Sequence, residues 1–282
     1  MHLTVHATTD HVPLNYRITE ERLATCWDLW RCDRCGLQIS DWHLSDADIN
    51  HLYETMEDDL YDQENASRRL TFHRGLDLIE RFATEKGVLL DVGCATGLFL
   101  LEANARGWTS RGVDLSRWAV KLARGRALQI HEGTMHDVPW ENGSCSAISM
   151  LDYIEHDPHP AEAIARAAEL LAPGGLLYIT TPDCDGLLAR LLKSRWWGIN
   201  PLHLTYFSRR TMKMLLEQKG FEVLVSRHYT RVFTLDYWAS RLAHFHPALA
   251  PFTQKIFRML GISQIPFKLN LFDMMEVLAR KK

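Results

Sequence analysis

Val88-Leu89-Leu90-Asp91-Val92-Gly93-Cys94-Ala95-Thr96-Gly97 is the stretch on which the fold of this chain turns, together with the apolar segment from Leu98 to Ala105. A short apolar run bounded by turn residues reads as a buried parallel strand. Gly93 and Gly97 let the chain turn sharply and leave backbone N–H groups open to a ligand. The helical pattern starting at Leu98 brings a positive dipole end to the same spot. Strand, glycine loop and helix together form a cradle for a nucleotide. The spacing G-x-x-x-G lacks the third glycine of the dinucleotide fingerprint, and no Gly-Lys-Ser/Thr follows as in a P-loop. These exclusions favour a ligand with a nucleoside and no pyrophosphate.

The next apolar segment, Ser110 to Val113, ends in Asp114. An acid at the end of the second strand of such a unit accepts hydrogen bonds from ribose hydroxyls. At this point the chain resembles the class I S-adenosylmethionine-dependent methyltransferases. The segment from Asp91 to Gly97 is a variant of their first motif, and Gly112-Val113-Asp114-Leu115-Ser116 carries the acid of their second. Leu171-Ala172-Pro173-Gly174-Gly175-Leu176-Leu177-Tyr178-Ile179 is similar to a further family segment, so the match runs from about Ala66 to Val225.

Further along, Leu128 to His131 and Ala147 to Leu151 read as strands. Ala161 to Leu171 reads as a helix ended by Pro173-Gly174-Gly175, and Leu176 to Thr180 as a fifth strand. A helix over Ser208 to Lys219, a strand over Phe221 to Val225 and a last strand over Asp273 to Ala279 complete the series. This alternation implies an α/β fold: a doubly wound, mostly parallel sheet with ligands at the carboxyl ends of its strands. The resemblance implies seven strands in a Rossmann-like arrangement, the last one antiparallel. It leaves residues 1–65 as an N-terminal accessory segment and residues 66–282 as the methyltransferase domain, with 229–269 as a lid-like insertion.

The resemblance also implies S-adenosylmethionine as cofactor and S-adenosylhomocysteine as product. Gly93, Cys94, Ala95 and Gly97 then form the loop, Asp91 steadies it near the methionine amino group, and Asp114 with Leu115 holds the ribose. Met135, His136 and Asp137 follow the third strand at the adenine, which Asp137 reads through its carboxylate. Leu151 closes the fourth strand beside the cofactor, and Tyr61 and Arg69 touch its methionine end. Ordinary packing is the alternative for Met135, Tyr61 and Arg69.

The fourth strand runs into Asp152-Tyr153-Ile154-Glu155-His156-Asp157-Pro158, similar to a segment of the ubiquinone-biosynthesis O-methyltransferases. A neutral histidine takes a proton well from an attacking hydroxyl, which makes His156 the candidate base. In some relatives such residues hold a divalent metal, a role open here to Asp152, Glu155 and His156; holding the loop in place is the structural alternative. His203 and Tyr206, in His203-Leu204-Thr205-Tyr206-Phe207-Ser208, are expected to line an acceptor pocket, unless Ser208 only caps the next helix. The acceptor expected is a small molecule, methylated on oxygen, with N- or C-methylation of a natural product or sugar as the alternative. A nicotinamide-dependent oxidoreductase and an inactive methyltransferase-like binding module are the rivals from other classes.

Across 282 residues the formal net charge is −3, which argues against a partner gripped through nucleic-acid phosphates. No apolar run reaches transmembrane length and no signal-peptide layout opens the chain, so the cytoplasm is the expected compartment. Six scattered cysteines read as reduced thiols. Cys32-Asp33-Arg34-Cys35-Gly36 has the spacing of a zinc knuckle, with Cys26 and His2, His6 or His11 as substitutes for a missing second pair. A metal-free remnant is the other reading. In the insertion, Trp238, Phe245, Phe252, Phe257, Leu260 and Phe267 alternate with Arg241, Lys255, Arg258 and Lys268, the pattern of a packed lid or of peripheral membrane contact.

Overall fold

The structure, a computed structural model, describes residues 1–5, 27–57, 65–236, 239 and 249–282. Tyr61, Cys26, His6, His11, Trp238, Arg241 and Phe245 lie outside the described residues. The chain begins with β1 (His2–Val5), β2 (Leu29–Arg31), β3 (Gln38–Ser40), α1 (Asp46–Glu54) and α2 (Asn65–Phe82). The α/β alternation follows with β4 (Val88–Val92), α3 (Leu98–Ala105), β5 (Thr109–Asp114), α4 (Arg117–Gly125), β6 (Gln129–Glu132), β7 (Cys145–Leu151), α5 (Pro160–Leu170) and β8 (Leu171–Pro182). It closes with α6 (Leu187–Leu192), β9 (Thr205–Tyr206), α7 (Arg209–Gln218), β10 (Phe221–His228), β11 (Arg231–Thr234), α8 (Leu249–Met259), β12 (Pro266–Leu269) and β13 (Met274–Lys281).

Seven strands form the central sheet in the order β10-β13-β8-β7-β4-β5-β6. β4 pairs in parallel with β5 on one side and β7 on the other, and β13 lies antiparallel between β8 and β10. The order reverses at β4, so the crevice for a ligand opens at its carboxyl end, where the glycine loop stands. Alternation along the strands gives each face its own core. Leu90, Val92, Ile148, Met150, Leu177 and Ile179 pack with α5 and α7. Leu89, Ala147, Leu176 and Tyr178 pack with α2, α3 and α4. On α5 the buried positions Ala163, Ile164, Ala167 and Leu170 form one stripe at helical spacing, and Pro160 opens the helix where its missing N–H has no partner to lose.

Gly97 is held at φ +78°, and a Cβ there would stand 2.2 Å from Leu128 Cδ1 and 3.3 Å from Ala123 Cβ. Because Leu128 is itself buried against α4, Gly97→Ala is expected to destabilise the fold by about 2–3 kcal/mol, combining positive-φ strain with overpacking. A urea-denaturation midpoint equal to that of the wild type would show that the turn tolerates a side chain.

One local expectation changes. Helix α5 ends at Leu170, and Pro173, Gly174 and Gly175 lie inside β8 rather than in a separating turn. They occupy an irregularity in the β7–β8 register, where Cys145 pairs with Leu171 but Ala147 with Leu176. A bulge of this kind accommodates a residue without an N–H to donate. The insertion, for its part, carries a strand pair, β11 with β12, that docks on α2. The Val232 N–H donates to Thr71 Oγ1 at 2.9 Å, and the Thr234 N–H to Ser67 Oγ at 3.0 Å.

The N-terminal residues form a second sheet, β1-β2-β3-β9, whose last strand comes from the segment after His203. Cys32 and Cys35 sit at a tight turn closed by the Gly36 N–H donating to the Cys32 carbonyl at 2.8 Å. No third metal-binding group joins them among the described residues, and His2 instead meets Asp33 at 2.6 Å. No helix among the described residues is long and apolar enough to cross a membrane.

Candidate active site

A cavity of about 450 Å³ opens at the carboxyl ends of β4, β5, β7 and β8. Helix α1 and β11 also line it. One end of it is built by the glycine loop. Asp114 Oδ2 accepts from the Ala95 N–H at 2.7 Å and Oδ1 from the Ser116 N–H at 2.9 Å, so each oxygen keeps a lone pair for a further donor. Burial raises the Asp114 pKa against the pull of those N–H groups. Gly93, Ala95, Leu115, Met135, His136 and Leu151 join Asp114 in the wall. Gly93, at φ +68°, has no room for a side chain, since a Cβ would lie 2.9 Å from the Tyr153 ring.

Three expected contact residues stand behind this wall. Asp91 is buried and accepts from Ser149 Oγ at 2.7 Å, with its carboxyl pushed up to about 7 by desolvation. Cys94 and Gly97 are buried in the loop and line no part of the cavity. Asp137 is turned away too: its Oδ1 accepts from the Thr134 N–H at 2.7 Å, closing a local turn that leaves the carboxylate in solvent. His136, beside it, faces the rim and meets Asp157 at 3.6 Å, a contact that raises its pKa. Arg69 pairs with Glu102 at 3.2 Å and does not line the cavity.

The other end gathers residues far apart in sequence. Asp152 has a left-handed backbone (φ +52°). Its N–H donates to the Thr180 carbonyl at 2.9 Å, and its carboxylate accepts from Thr180 Oγ1 at 2.9 Å and from Arg231 at 3.1 Å. Glu155 is buried; its Oε2 accepts from Thr181 Oγ1 at 2.9 Å, and desolvation lifts its carboxyl to about 8. Its backbone carbonyl accepts from the Leu204 N–H at 2.8 Å, fastening the loop that carries His203. His156 Nδ1 lies 3.0 Å from the Leu202 carbonyl and 2.8 Å from Tyr53 Oη. A carbonyl only accepts, which assigns the proton to Nδ1 and leaves a lone pair on Nε2. Burial brings the His156 pKa down to about 4, so the ring is neutral. His203 repeats the pattern, with Nδ1 2.8 Å from the Gly198 carbonyl, its pKa pushed down by burial and its ring centroid 4.6 Å from that of His156.

Glu155, His156 and His203 each turn one ligand atom into the same space, within 4.8 Å of one another. Such a donor set fits a divalent cation. Asp152, expected beside Glu155 and His156, is outside this group, and Thr180 and Arg231 engage its carboxylate. Tyr206 does not line the cavity either: it is buried with Leu29, Trp196 and Ile199, and its Oη donates to the Asn200 carbonyl at 3.2 Å. Residues not singled out from sequence complete the wall. Tyr53 comes from α1, and Arg231 from the docked insertion, its guanidinium 5.7 Å from the Trp197 ring centroid. Tyr53 lies in the last turn of α1, a helix capped at Ser45, and nothing local in the chain connects it to His156.

Residues 63–226 match the family model described as a methyltransferase domain, which spans more than half of the chain, and the chain belongs to that family. With its mostly parallel seven-stranded sheet it is a class I S-adenosylmethionine-dependent methyltransferase. Among curated relatives, the ubiquinone biosynthesis O-methyltransferase of Aromatoleum aromaticum is 31% identical over 114 residues, covering 38% of this chain and 49% of that one. Its namesake from Nitrosococcus oceani is 33% identical over 116 residues, covering 38% and 48%. The chain thus spans about half the length of these relatives. The crystal structure of a SAM-dependent methyltransferase from Thermotoga maritima matches with a TM-score of 0.52 at 21% identity, over 79% of this chain and 95% of that one, a likeness of fold.

Proposed function

We propose that this chain methylates a hydroxyl group on a small molecule, with His156 as general base. The observation that carries this reading is the neutral His156 ring in the cavity wall, its Nδ1 proton held by the Leu202 carbonyl and its Nε2 lone pair left to accept a proton. S-adenosylmethionine, when bound, supplies an electrophilic sulfonium methyl. Gly93, Ala95, Asp114, Leu115 and Met135 would hold its nucleoside, Asp114 accepting from the ribose hydroxyls. His156 takes the proton of the acceptor hydroxyl as the oxygen attacks, while the aromatic walls Tyr53, Trp197 and Phe233 orient the acceptor and keep water away. The relatives named for ubiquinone O-methylation favour oxygen as the atom methylated.

Tyr53 Oη accepts from the same Nδ1–H as the Leu202 carbonyl and steadies the ring. Tyr53→Phe is expected to lower kcat about fivefold while cofactor affinity stays as in the wild type, one such hydrogen bond being worth about 1 kcal/mol. Unchanged kcat in steady-state assays would remove Tyr53 from this role.

The Glu155, His156 and His203 cluster supports a second reading, in which a bound divalent cation would lower the pKa of the acceptor hydroxyl. Dialysis against a chelator separates the two. Turnover survives it if His156 alone removes the proton, and is lost, then restored by added cation, if the metal is required.

A further inference from the structure

From Gly186 to His203 the chain contains Arg190, Lys193 and Arg195 and no acidic residue. Within this stretch α6 packs only part of its surface on the protein. Ala189 is buried with Trp196 and Ile199, whereas Leu187 and Leu191 are 56% and 68% exposed, and Leu192 is exposed beside them. The Leu187 N–H donates to the Phe272 carbonyl at 2.8 Å, which sets the exposed Leu271 and Phe272 against the start of the helix. Arg190, Lys193 and Arg195 are exposed and take part in none of the ion pairs among the described residues. The acids just before this stretch in sequence are already engaged, Asp183 by Arg209 at 3.2 Å and Asp185 by Arg31 at 3.5 Å. The same stretch then enters the cavity wall at Trp197, Asn200 and Leu202.

We infer that α6, with residues 271 and 272, is a docking face for a lipid bilayer carrying anionic headgroups. Exposed leucines and a phenylalanine grouped in one patch mark a contact surface rather than ordinary scatter. Their company decides the partner. Long flexible cations without acidic counterparts suit a fluid, negatively charged surface, where the leucines enter the headgroup boundary and the cations meet lipid phosphates. The core of a protein–protein interface, by contrast, is depleted of charged residues as a class. Docked this way, the wall formed by Trp197, Asn200 and Leu202 stands close to the bilayer, giving an amphiphilic acceptor a short path into the cavity. The docking does not depend on which atom is methylated, and its test reads binding rather than turnover.

The experiment is co-flotation of the full chain with vesicles of phosphatidylcholine alone and of phosphatidylcholine mixed with phosphatidylglycerol. Wild type is expected to float with the mixed vesicles only. Raising the salt should release it, since exposed charges are screened beyond a Debye length of about 3 Å at 1 M. Two variants, Leu191→Glu and the triple change Arg190→Ser, Lys193→Ser and Arg195→Ser, are each expected to lose binding at least about tenfold. Their circular dichroism and S-adenosylhomocysteine affinity should match wild type, so that a folding failure in one variant leaves the other to decide. No flotation of the wild type, equal flotation with neutral vesicles, or unaltered flotation of a folded variant overturns the assignment. So does a solution dimer that Leu191→Glu dissociates, because the face would then be an interface between two copies of this chain.

Discussion

Replacing His156 by alanine is expected to lower kcat by about two to three orders of magnitude, the usual share of a general base in such a reaction. The loss should leave the Kd for S-adenosylhomocysteine nearly unchanged, because the ring lines the cavity and is held by hydrogen bonds to Tyr53 and Leu202 rather than to the glycine loop. The pH profile carries independent information. Burial depresses the His156 pKa to about 4, below that of a solvated imidazole. The neutral, proton-accepting form is therefore present above about pH 4 and is lost only as the pH falls through that value. The wild-type profile of kcat/KM should show no inflection near 6.5, where an ordinary histidine titrates. A His156-dependent limb centred there would mean that the ring is solvated during turnover and that the buried geometry is not the reactive one.

Asp114→Ala is the counterpart at the nucleotide end. The carboxylate organises the loop by accepting from the Ala95 and Ser116 N–H groups, and its remaining lone pairs face the cavity. Removing it should weaken S-adenosylhomocysteine binding about 100-fold, since hydrogen bonds to a charged group are worth about 1.5–3 kcal/mol each. Calorimetry on the variant measures the change, and a thermal melt without ligand separates it from unfolding. An affinity within about threefold of wild type would place the ribose elsewhere, as a loss of under 1 kcal/mol is less than one such bond.

These two sites differ in how far the chain declares them. The place of Asp114 in the cavity wall was legible because its signal is local: an apolar run, a glycine loop, a helix and an acid one crossover later fall within a single βαβ unit. The same holds for Gly93 and for the seven-stranded sheet, whose alternating strand and helix patterns are short-range signals. The acceptor end is different. His156, Leu202 and Tyr53 meet only because α1 crosses the cavity and the 196–204 loop folds back on Glu155. Arg231 arrives on a strand whose partner on α2 lies some 160 residues earlier in the chain. No periodicity encodes such meetings.

The differences have similar causes. Asp137 follows the third strand as expected, but a short acidic side chain readily bonds its own turn, and the Thr134 N–H takes it. Asp152 carries the carboxylate expected near the cation cluster, yet its left-handed backbone aims that group at Thr180 and Arg231. Pro173-Gly174-Gly175 looked like a terminator; in the sheet it is a bulge at the start of β8. In each case a neighbour invisible from sequence decided the direction of the side chain or of the backbone.

The most direct test of the methyl-donor reading is calorimetric titration of the purified wild-type chain with S-adenosylhomocysteine and, separately, with NAD. Micromolar binding of S-adenosylhomocysteine and no heat from NAD is the expected result. Absence of S-adenosylhomocysteine binding, or tight binding of NAD in its place, would contradict it.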